Sequence, residues 1–383
     1  MIVKKYYVSF YISLFLVFIG FMENFGSIRY LFMMPLFIFL LIILCFSHKV
    51  MKSTINTFLV LIFFSFLLAL PSYFNLYPHK GNFNYDLSDY FLGLLVKLLS
   101  IFIVFLFFKD DRGKMKDLIN FVIILNVSFF LLQFILVYGT SYYLDPLYFL
   151  TGEVQRYKSN FSIPFIGYIY RPTGLYEEPS TYSAFIILLI SARYYLDNKI
   201  DNILKISVFS VLLSFSVASI IYGFIVLLIF YRKTNNSYIK YLFFLFLPVL
   251  LIFLIYIGLE RLGSIDTATS LRSNLLLKVF EQDKLEILFG NGMLGVIPSL
   301  SEYMKSGNLW AAGVAALNDN GLWLFIIIKF GIIGLITSII LFFKRVKSYT
   351  NRALFLIILL TKVSFLYFGF LFYLMVIINY REK

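Results

Sequence analysis

The chain has 383 residues, of which 61% are hydrophobic and 14% are charged, and its mean hydropathy is +0.89. Soluble domains are about 45–50% apolar and about 25% charged, so this composition excludes an ordinary soluble enzyme and indicates a protein embedded in lipid. The formal net charge of +13 would suggest nucleic-acid binding in a soluble protein, but in a membrane protein basic residues mark cytoplasmic loops. We therefore predict no nucleic-acid partner.

Apolar runs of membrane-spanning length predict helices along the whole chain. They cover residues 6–22, 29–46, 54–71, 90–108, 118–138, 180–196, 241–259 and 320–343. Two longer stretches, 203–231 and 353–380, are each too long for one ordinary span and too short for two full ones, so we interpret each as a hairpin of two short helices. The sequence thus predicts an all-α polytopic membrane protein, a single domain over 1–383 with about twelve spans. Counting each long stretch as one tilted span is the alternative.

The distribution of lysine and arginine predicts the orientation of the spans. With the N-terminus inside, 20 basic residues fall in cytoplasmic segments and 10 in outer segments, and the inner segments are short enough for this rule to apply. We therefore predict that both termini are cytoplasmic and that the first helix is retained. Two large external loops, 139–179 and 260–319, carry basic residues against this trend. An anionic ligand on the outer face explains them; simple solvation of a long loop is the alternative.

The first of these loops ends in the motif R-P-T-G-L-Y-E-E-P-S-T-Y-S over residues 171–183. Pro172 and Gly174 predict a turn, and Pro179 suits the first position of a helix, which places Glu178 at a helix N-terminus. A capped transmembrane helix with Arg171 anchored to headgroups would give the same pattern. The functional interpretation is a guanidinium and a carboxylate held at the membrane surface.

The second loop contains S-L-R-S-N over 270–274 and L-F-G-N-G-M-L-G over 288–295, and it leads into N-D-N-G-L-W over 318–323. Gly290 and Gly292 suit a tight turn with exposed backbone amides, which is a pattern that can hold phosphate. Gly331 and Gly334, in the span that follows, allow a neighbouring helix to approach closely.

The chain resembles the Wzy-type polymerases of the O-antigen polymerase and ligase superfamily through four motifs in order: Arg171 with G-L-Y-E-E-P-S, then Arg272, then L-F-G-N-G, then D-N-G-L-W before a span ending in G-I-I-G. The resemblance is best over about 165–335. It implies a glycosyltransferase of the bacterial inner membrane that needs no metal or cofactor and whose site faces the periplasm or the cell exterior. Its donor and acceptor would be undecaprenyl-diphosphate-linked oligosaccharide units, polymerised into O-antigen, capsule or exopolysaccharide. A chain-length regulator and a flippase are the further partners to expect.

The chemistry of such a reaction selects candidate residues. A diphosphate leaving group needs cationic stabilisation, for which Arg171 and Arg272 are the first candidates and Arg156 the third. An attacking sugar hydroxyl needs a base or an orienting acceptor. Glu178 is preferred over Asp319 and Glu177, although Glu178 can instead position Arg171 or a sugar. We predict that the catalytic residues come from these candidates: Glu178, Arg171, Arg272 and Asp319.

Two lysines are predicted inside spans. Lys97 and Lys329 each lie about eight residues from the outer end of a span, where a charge is functional by default. A role in binding the lipid diphosphate and a structural ion pair remain open. The alternative without a functional role is that the lysine side chains snorkel to the membrane surface. Lys362 lies at a predicted turn and receives no role.

Two rival functions remain. Ligases of the superfamily carry a histidine before the penultimate long helix, where this chain has Asn318, Asp319 and Asn320, so a ligase is the less favoured enzyme. A flippase or polysaccharide transporter would often show repeated halves. No internal repeat is evident in the sequence, which favours the enzyme.

Overall fold

The computed structural model describes residues 2–45, 52–73, 87–108, 110–163, 167–232, 248 and 267–382. Within these ranges the fold is helical apart from one antiparallel hairpin of strands β1 (Lys158–Ile163) and β2 (Gly167–Tyr170). The α-helices are α1 (Ile2–Phe21), α2 (Ile28–Cys45), α3 (Lys52–Tyr73), α4 (Leu87–Phe108), α5 (Arg112–Thr140), α6 (Pro146–Thr151), α7 (Pro179–Asp197), α8 (Asn202–Leu212), α9 (Val217–Tyr231), α10 (Thr267–Phe280), α11 (Lys284–Phe289), α12 (Ser301–Ser306), α13 (Leu322–Arg345), α14 (Tyr349–Leu360) and α15 (Phe368–Asn379).

The helices are those of a membrane-embedded protein. In the described part of the chain, α2, α4, α5 and α13 are long and apolar enough to cross a membrane, and shorter apolar helices accompany them. The predicted all-α class is therefore confirmed, with the small hairpin as the exception. The count of about twelve spans stays a prediction, and the predicted span 241–259 lies outside the described residues apart from residue 248.

Both long apolar stretches fold as pairs of short helices, as the sequence predicts. Helices α8 and α9 are joined by a turn in which Phe215 has a φ of 50°. Helices α14 and α15 are 12 residues each, or about 18 Å long at 1.5 Å per residue. Each is much shorter than the bilayer core, and Thr361 and Val363 in their joining turn are fully buried, so the 361–367 turn lies within the helical bundle.

Helix α7 is the centre of the bundle. Nearly all of its side chains are buried, and it packs against α5, α8, α9, α14 and α15. A helix that is apolar on every side is stable only where neighbours surround it. Pro179 occupies the first turn and Glu178 is the N-cap residue, so the sequence motif places a carboxylate at the start of the most deeply enclosed helix.

The bundle has two chemically different ends. We call the end at which α4, α7, α13 and α15 begin the carboxylate end, because Glu23, Glu177, Glu178 and Asp319 lie there. At the opposite end the buried Arg193 side chain contacts Asp197 at 2.5 Å and Asp201 at 2.6 Å. The latter end is thus closed by internal charge pairing, and the carboxylate end holds the open cavities described below.

Helix α13 is interrupted at Gly331, whose φ of 68° and ψ of −175° are not helical. The amides of Asn291 and Gly292 donate to the carbonyls freed at this break, those of Ile328 and Lys329, at 2.9 Å each. Gly331 lies nine positions beyond the first residue of α13, roughly 13 Å along its axis. The 260–319 stretch, predicted as an external loop, therefore includes a segment that packs beside α13 well past its first turn.

Replacing Gly331 with alanine is expected to lower the free energy of unfolding by about 2 kcal/mol or more, because a Cβ at positive φ is strained and would also collide with the Leu288 carbonyl. The measurement is thermal melting of the purified protein in detergent. Gly139→Ala in α5 is the control, since a Cβ there meets nothing within 4 Å. Equal melting temperatures for the Gly331→Ala variant and the wild type would contradict the assignment of this break.

Candidate functional site

A polar cavity of about 270 Å³ opens at the carboxylate end. Its lining is rich in charged and aromatic side chains: Glu23, Arg156, Glu177, Glu178, Asp319, Lys362, Trp310 and Tyr367. Glu23 comes from the connection between α1 and α2, and the others come from the 139–179 loop, the 260–319 stretch and the 361–367 turn. The two long loops singled out by the sequence thus meet in one place, together with a turn that was not singled out.

The Lys362 ammonium bridges two carboxylates in this cavity. Its Nζ lies 2.6 Å from Oε1 of Glu178 and 2.8 Å from Oδ1 of Asp319. The side chains of Lys362, Glu178 and Asp319 are only 14%, 19% and 14% exposed, respectively. At such burial a carboxylate is costly without a partner, and removing one member of a buried pair is strongly destabilising. We call this trio the Lys362 bridge.

Glu178 is held in place by the start of α7. Its extended backbone is that of an N-cap residue, and its carbonyl accepts hydrogen bonds from the amides of Thr181 and Tyr182. Burial raises the pKa of the Glu178 carboxyl, but the Lys362 ammonium beside it, assisted by Ser180 and Arg156, lowers the pKa below its ordinary value overall. The carboxylate is therefore ionised at neutral pH despite its burial.

Asp319 is positioned by a tight turn that leads into α13. Its Oδ2 accepts the Ala316 amide at 3.0 Å. Two residues later Gly321 has a φ of 104°, and a Cβ there would lie only 2.7 Å from the Leu360 carbonyl oxygen. The Leu322 amide donates to the Thr361 carbonyl at 3.0 Å. Backbone packed on backbone in this way sets Asp319 beside Lys362.

Arg156 and Glu177 form the outer rim of the cavity. A guanidinium nitrogen of Arg156 lies 2.8 Å from Oε1 of Glu177 and 4.0 Å from Oε2 of Glu178. The Arg156 amide also donates to the Glu177 carbonyl at 2.7 Å. Burial raises the pKa of Glu177 above its ordinary value, against the opposing effect of Arg156. The rim thus adds a second acid with a different proton affinity from that of Glu178.

The structure brings together four of the sequence-selected candidates: Arg156, Glu177, Glu178 and Asp319. Lys362, which joins two of them, was given no role because a lysine at a turn is ordinary. The signal that would have found it is a cation kept on a predicted outer turn inside an otherwise apolar 353–380 stretch.

Arg171 and Arg272, the first-choice arginines, are not among the residues that line this cavity. Arg171 follows strand β2, and its amide donates to the Tyr157 carbonyl at 2.7 Å. Arg272 lies in α10, where its carbonyl accepts the Asn320 side-chain amide at 2.8 Å. Each arginine is thus joined to a residue next to one that lines the cavity: Arg272 to Asn320, which follows Asp319, and Arg171 to Tyr157, which follows Arg156.

The two span lysines have internal partners. Nζ of Lys97 lies 3.3 Å from Oε2 of Glu23 and donates to the Leu366 carbonyl at 2.8 Å, which supports the structural ion pair among the alternatives. Lys329 is fully buried, and its Nζ donates to the Gly295 carbonyl at 2.6 Å. Both lysines therefore act first as internal donors.

Gly290 and Gly292 serve the packing at the α13 break. The Gly290 amide donates to the Glu286 carbonyl at 2.7 Å and the Gly292 amide to the Lys329 carbonyl at 2.9 Å. A Cβ at Gly290 would also collide with the backbone of Lys329 and Phe330. Both amides are thus engaged within the protein, and we do not retain the predicted phosphate-binding role for these glycines.

A second cavity of about 330 Å³ adjoins the first. The two share Ala316, Asn318 and Tyr367 in their linings, and the Asn318 side-chain amide donates to the Tyr367 hydroxyl at 3.2 Å. Lys97 lines the second cavity among mostly apolar side chains. One hydrogen-bonded wall therefore separates a polar compartment from an apolar one.

Comparison with known proteins assigns no family. No protein-family model matches the chain, and neither a curated protein sequence nor a solved structure is significantly similar to it.

The Lys362 bridge gives a pH-dependent prediction. A carboxyl whose folded-state pKa is lowered adds stability above its unfolded pKa, about 4.3 for glutamate, and loses that contribution as the pH falls. In a Lys362→Met variant, burial raises the pKa of Glu178 against only the smaller effects of Ser180 and Arg156, so protonation should relieve the defect. We expect the melting-temperature gap between wild type and Lys362→Met to shrink as the pH falls from 7 towards about 4.5.

Lys114→Met is the matched control, because Lys114 pairs with Asp111 at 3.4 Å where both side chains are about 40% exposed. Exposed ion pairs contribute little to stability, so the melting-temperature gap between wild type and Lys114→Met should be small and should not vary with pH. A gap for Lys362→Met that does not vary with pH would refute the bridge.

Proposed function

We propose that the chain is a membrane glycosyltransferase that polymerises undecaprenyl-diphosphate-linked oligosaccharide units, in the manner of the Wzy-type polymerases it resembles. The observation that carries the proposal is the polar cavity, in which Glu178 and Asp319 share the Lys362 ammonium beside the rings of Trp310 and Tyr367. Carboxylates accept hydrogen bonds from hydroxyl groups, and aromatic rings present flat apolar faces. This combination suits a sugar with its hydroxyl groups and its apolar ring face.

The proposed chemistry is attack by a sugar hydroxyl of the acceptor on the anomeric carbon of the donor: the new glycosidic C–O bond forms as the anomeric C–O bond to the diphosphate breaks, and undecaprenyl diphosphate leaves. Glu178 accepts the hydroxyl proton or orients the hydroxyl, and Asp319 provides a second carboxylate acceptor beside it. Because the pKa of Glu178 is lowered, this carboxylate is present as the acceptor form at neutral pH. Lys362 keeps the two carboxylates from repelling each other and provides a donor to the bound sugar.

The charge balance of the cavity bears on where the two substrates lie. Four carboxylates line it, those of Glu23, Glu177, Glu178 and Asp319, against the two cations Arg156 and Lys362. The charge of Glu23 is balanced by Arg29 and Lys97 beside it, so this group of side chains has no excess of positive charge to attract a diphosphate, whereas neutral sugars do not need one. We therefore place the reacting hydroxyl in the cavity and the donor diphosphate on the side of Arg272, whose guanidinium pairs well with phosphate.

This proposal includes a location. The chain would lie in the bacterial inner membrane with about twelve spans, both termini in the cytoplasm and the carboxylate end facing the periplasm or the cell exterior. The excess of basic residues in the predicted inner segments supports this orientation. The product would be O-antigen, capsule or exopolysaccharide, and a flippase and a chain-length regulator are the partners that such a polymerase needs.

The test is a deletion strain complemented with wild type, Glu178→Gln, Asp319→Asn or Glu153→Gln at equal membrane abundance, with the surface glycan separated as a size ladder. We expect the deletion to leave single repeat units and Glu178→Gln to reduce polymer by about a hundredfold, the usual loss when a catalytic base is removed. Glu153→Gln is the control, because Glu153 is exposed in the same loop, and it should keep the full ladder.

Two other outcomes would reject the polymerase. Accumulation of lipid-linked polymer that never reaches the cell surface would identify a ligase. Repeat units trapped on the cytoplasmic leaflet would identify a transporter.

A further inference from the structure

A second buried charge cluster adjoins the polar cavity and shares Glu23 with its lining. We call Glu23, Arg29 and Lys97 the Glu23 cluster: Oε2 of Glu23 pairs with the Arg29 guanidinium and lies 3.3 Å from Nζ of Lys97. The three side chains are 6%, 6% and 11% exposed. They come from the connection between α1 and α2, from α2 itself and from α4. The charges of the Lys362 bridge do not explain why three charged side chains are kept here.

The Glu23 cluster holds the end of the 361–367 turn. Oε1 of Glu23 accepts the Phe368 amide at 2.5 Å, and Nζ of Lys97 donates to the Leu366 carbonyl at 2.8 Å. The Phe368 amide belongs to the first turn of α15, where backbone donors have no partner within the helix. A carboxylate at that position is also favoured by the helix dipole. One carboxylate thus ties α15 to the α1–α2 connection.

The beginning of the same turn is held by a different element. The Thr361 carbonyl accepts the amide of Leu322, the first residue of α13. Lys362 is the next residue along the chain. The turn is therefore fixed at both ends, by α13 at 361 and by the Glu23 cluster at 366–368, and Lys362 lies between these two attachments.

We propose that Glu23 and Lys97 are positioning residues, which set the 361–367 turn and through it hold the Lys362 ammonium against Glu178 and Asp319. The inference deepens the proposed function and rests on it for any effect on glycan joining. The effect on the turn itself does not depend on what the site catalyses.

The charges of the cluster determine which variant tests this. Glu23→Gln leaves two buried cations without their carboxylate, a change that is severely destabilising. Lys97→Met leaves the neutral Glu23–Arg29 pair intact and replaces the lysine by a side chain of similar length that suits an apolar surrounding. The Lys97→Met protein should therefore fold, while the Leu366 carbonyl loses its donor.

The experiment measures the accessibility of the turn in the full chain reconstituted in lipid nanodiscs. Cys45→Ser removes the single native cysteine, and Ser364→Cys places a thiol in the turn, where Ser364 is 5% exposed. We expect Lys97→Met to increase the rate of labelling by a water-soluble maleimide about fivefold, as one lost tertiary hydrogen bond loosens the segment. Lys97→Arg, which retains a donor, should restore most of the protection.

Arg345→Met is the matched control, because Arg345 donates to the Ile377 and Ile378 carbonyls at the other end of α15. It removes comparable hydrogen bonds from the same helix and should leave labelling at position 364 unchanged. An unchanged rate in Lys97→Met, or an equal increase in Arg345→Met, would overturn the positioning role. If labelling rises as expected but the deletion strain joins its glycan units normally, the positioning role stands and the proposed function fails.

Discussion

A single ammonium group shared by two carboxylates is the interaction on which the candidate site depends. Glu178 and Asp319 would repel each other at the edge of an apolar bundle, and each would be costly to bury alone. Lys362 stabilises both, at 2.6 Å and 2.8 Å. Since the three residues come from the start of α7, the turn before α13 and the turn between α14 and α15, the bridge also determines how these elements meet.

The rest of the bundle is arranged so that this bridge is possible. Gly321 lets the start of α13 pack on the backbone of Leu360, and the Glu23 cluster ties the other end of the 361–367 turn to α1, α2 and α4. The break at Gly331 lets the 288–295 segment pack beside α13 and brings Met293 and Leu294 into an apolar cluster with α4. The glycines thus allow backbone segments to pack closely, and the charged side chains hold the elements together through ion pairs.

Much of this could be predicted from the sequence. Apolar run length located helices α1–α5, α7 and α13 and both short-helix hairpins, and proline and glycine punctuation placed Glu178 at a helix start. It did not locate α6, α10, α11 or α12, which lie in the stretches predicted as external loops. The pairing of Lys362 with Glu178 joins residues 184 positions apart, and Glu23 with Phe368 joins residues 345 apart; no local pattern encodes such contacts. At positions 290 and 292 the sequence does not distinguish a tight turn with exposed amides from a turn packed on a broken helix, because the two have the same local sequence.

The most direct test of the central claim is to locate a bound sugar. A lipid-linked glycan that carries a diazirine on its terminal sugar would be incorporated with the full chain in nanodiscs and photolysed, and the adducts mapped by mass spectrometry. The account predicts adducts in the peptides that contain Trp310 and Tyr367, lost when unlabelled glycan competes. Adducts confined to the opposite end of the bundle, near Arg193 and Arg345, would contradict it.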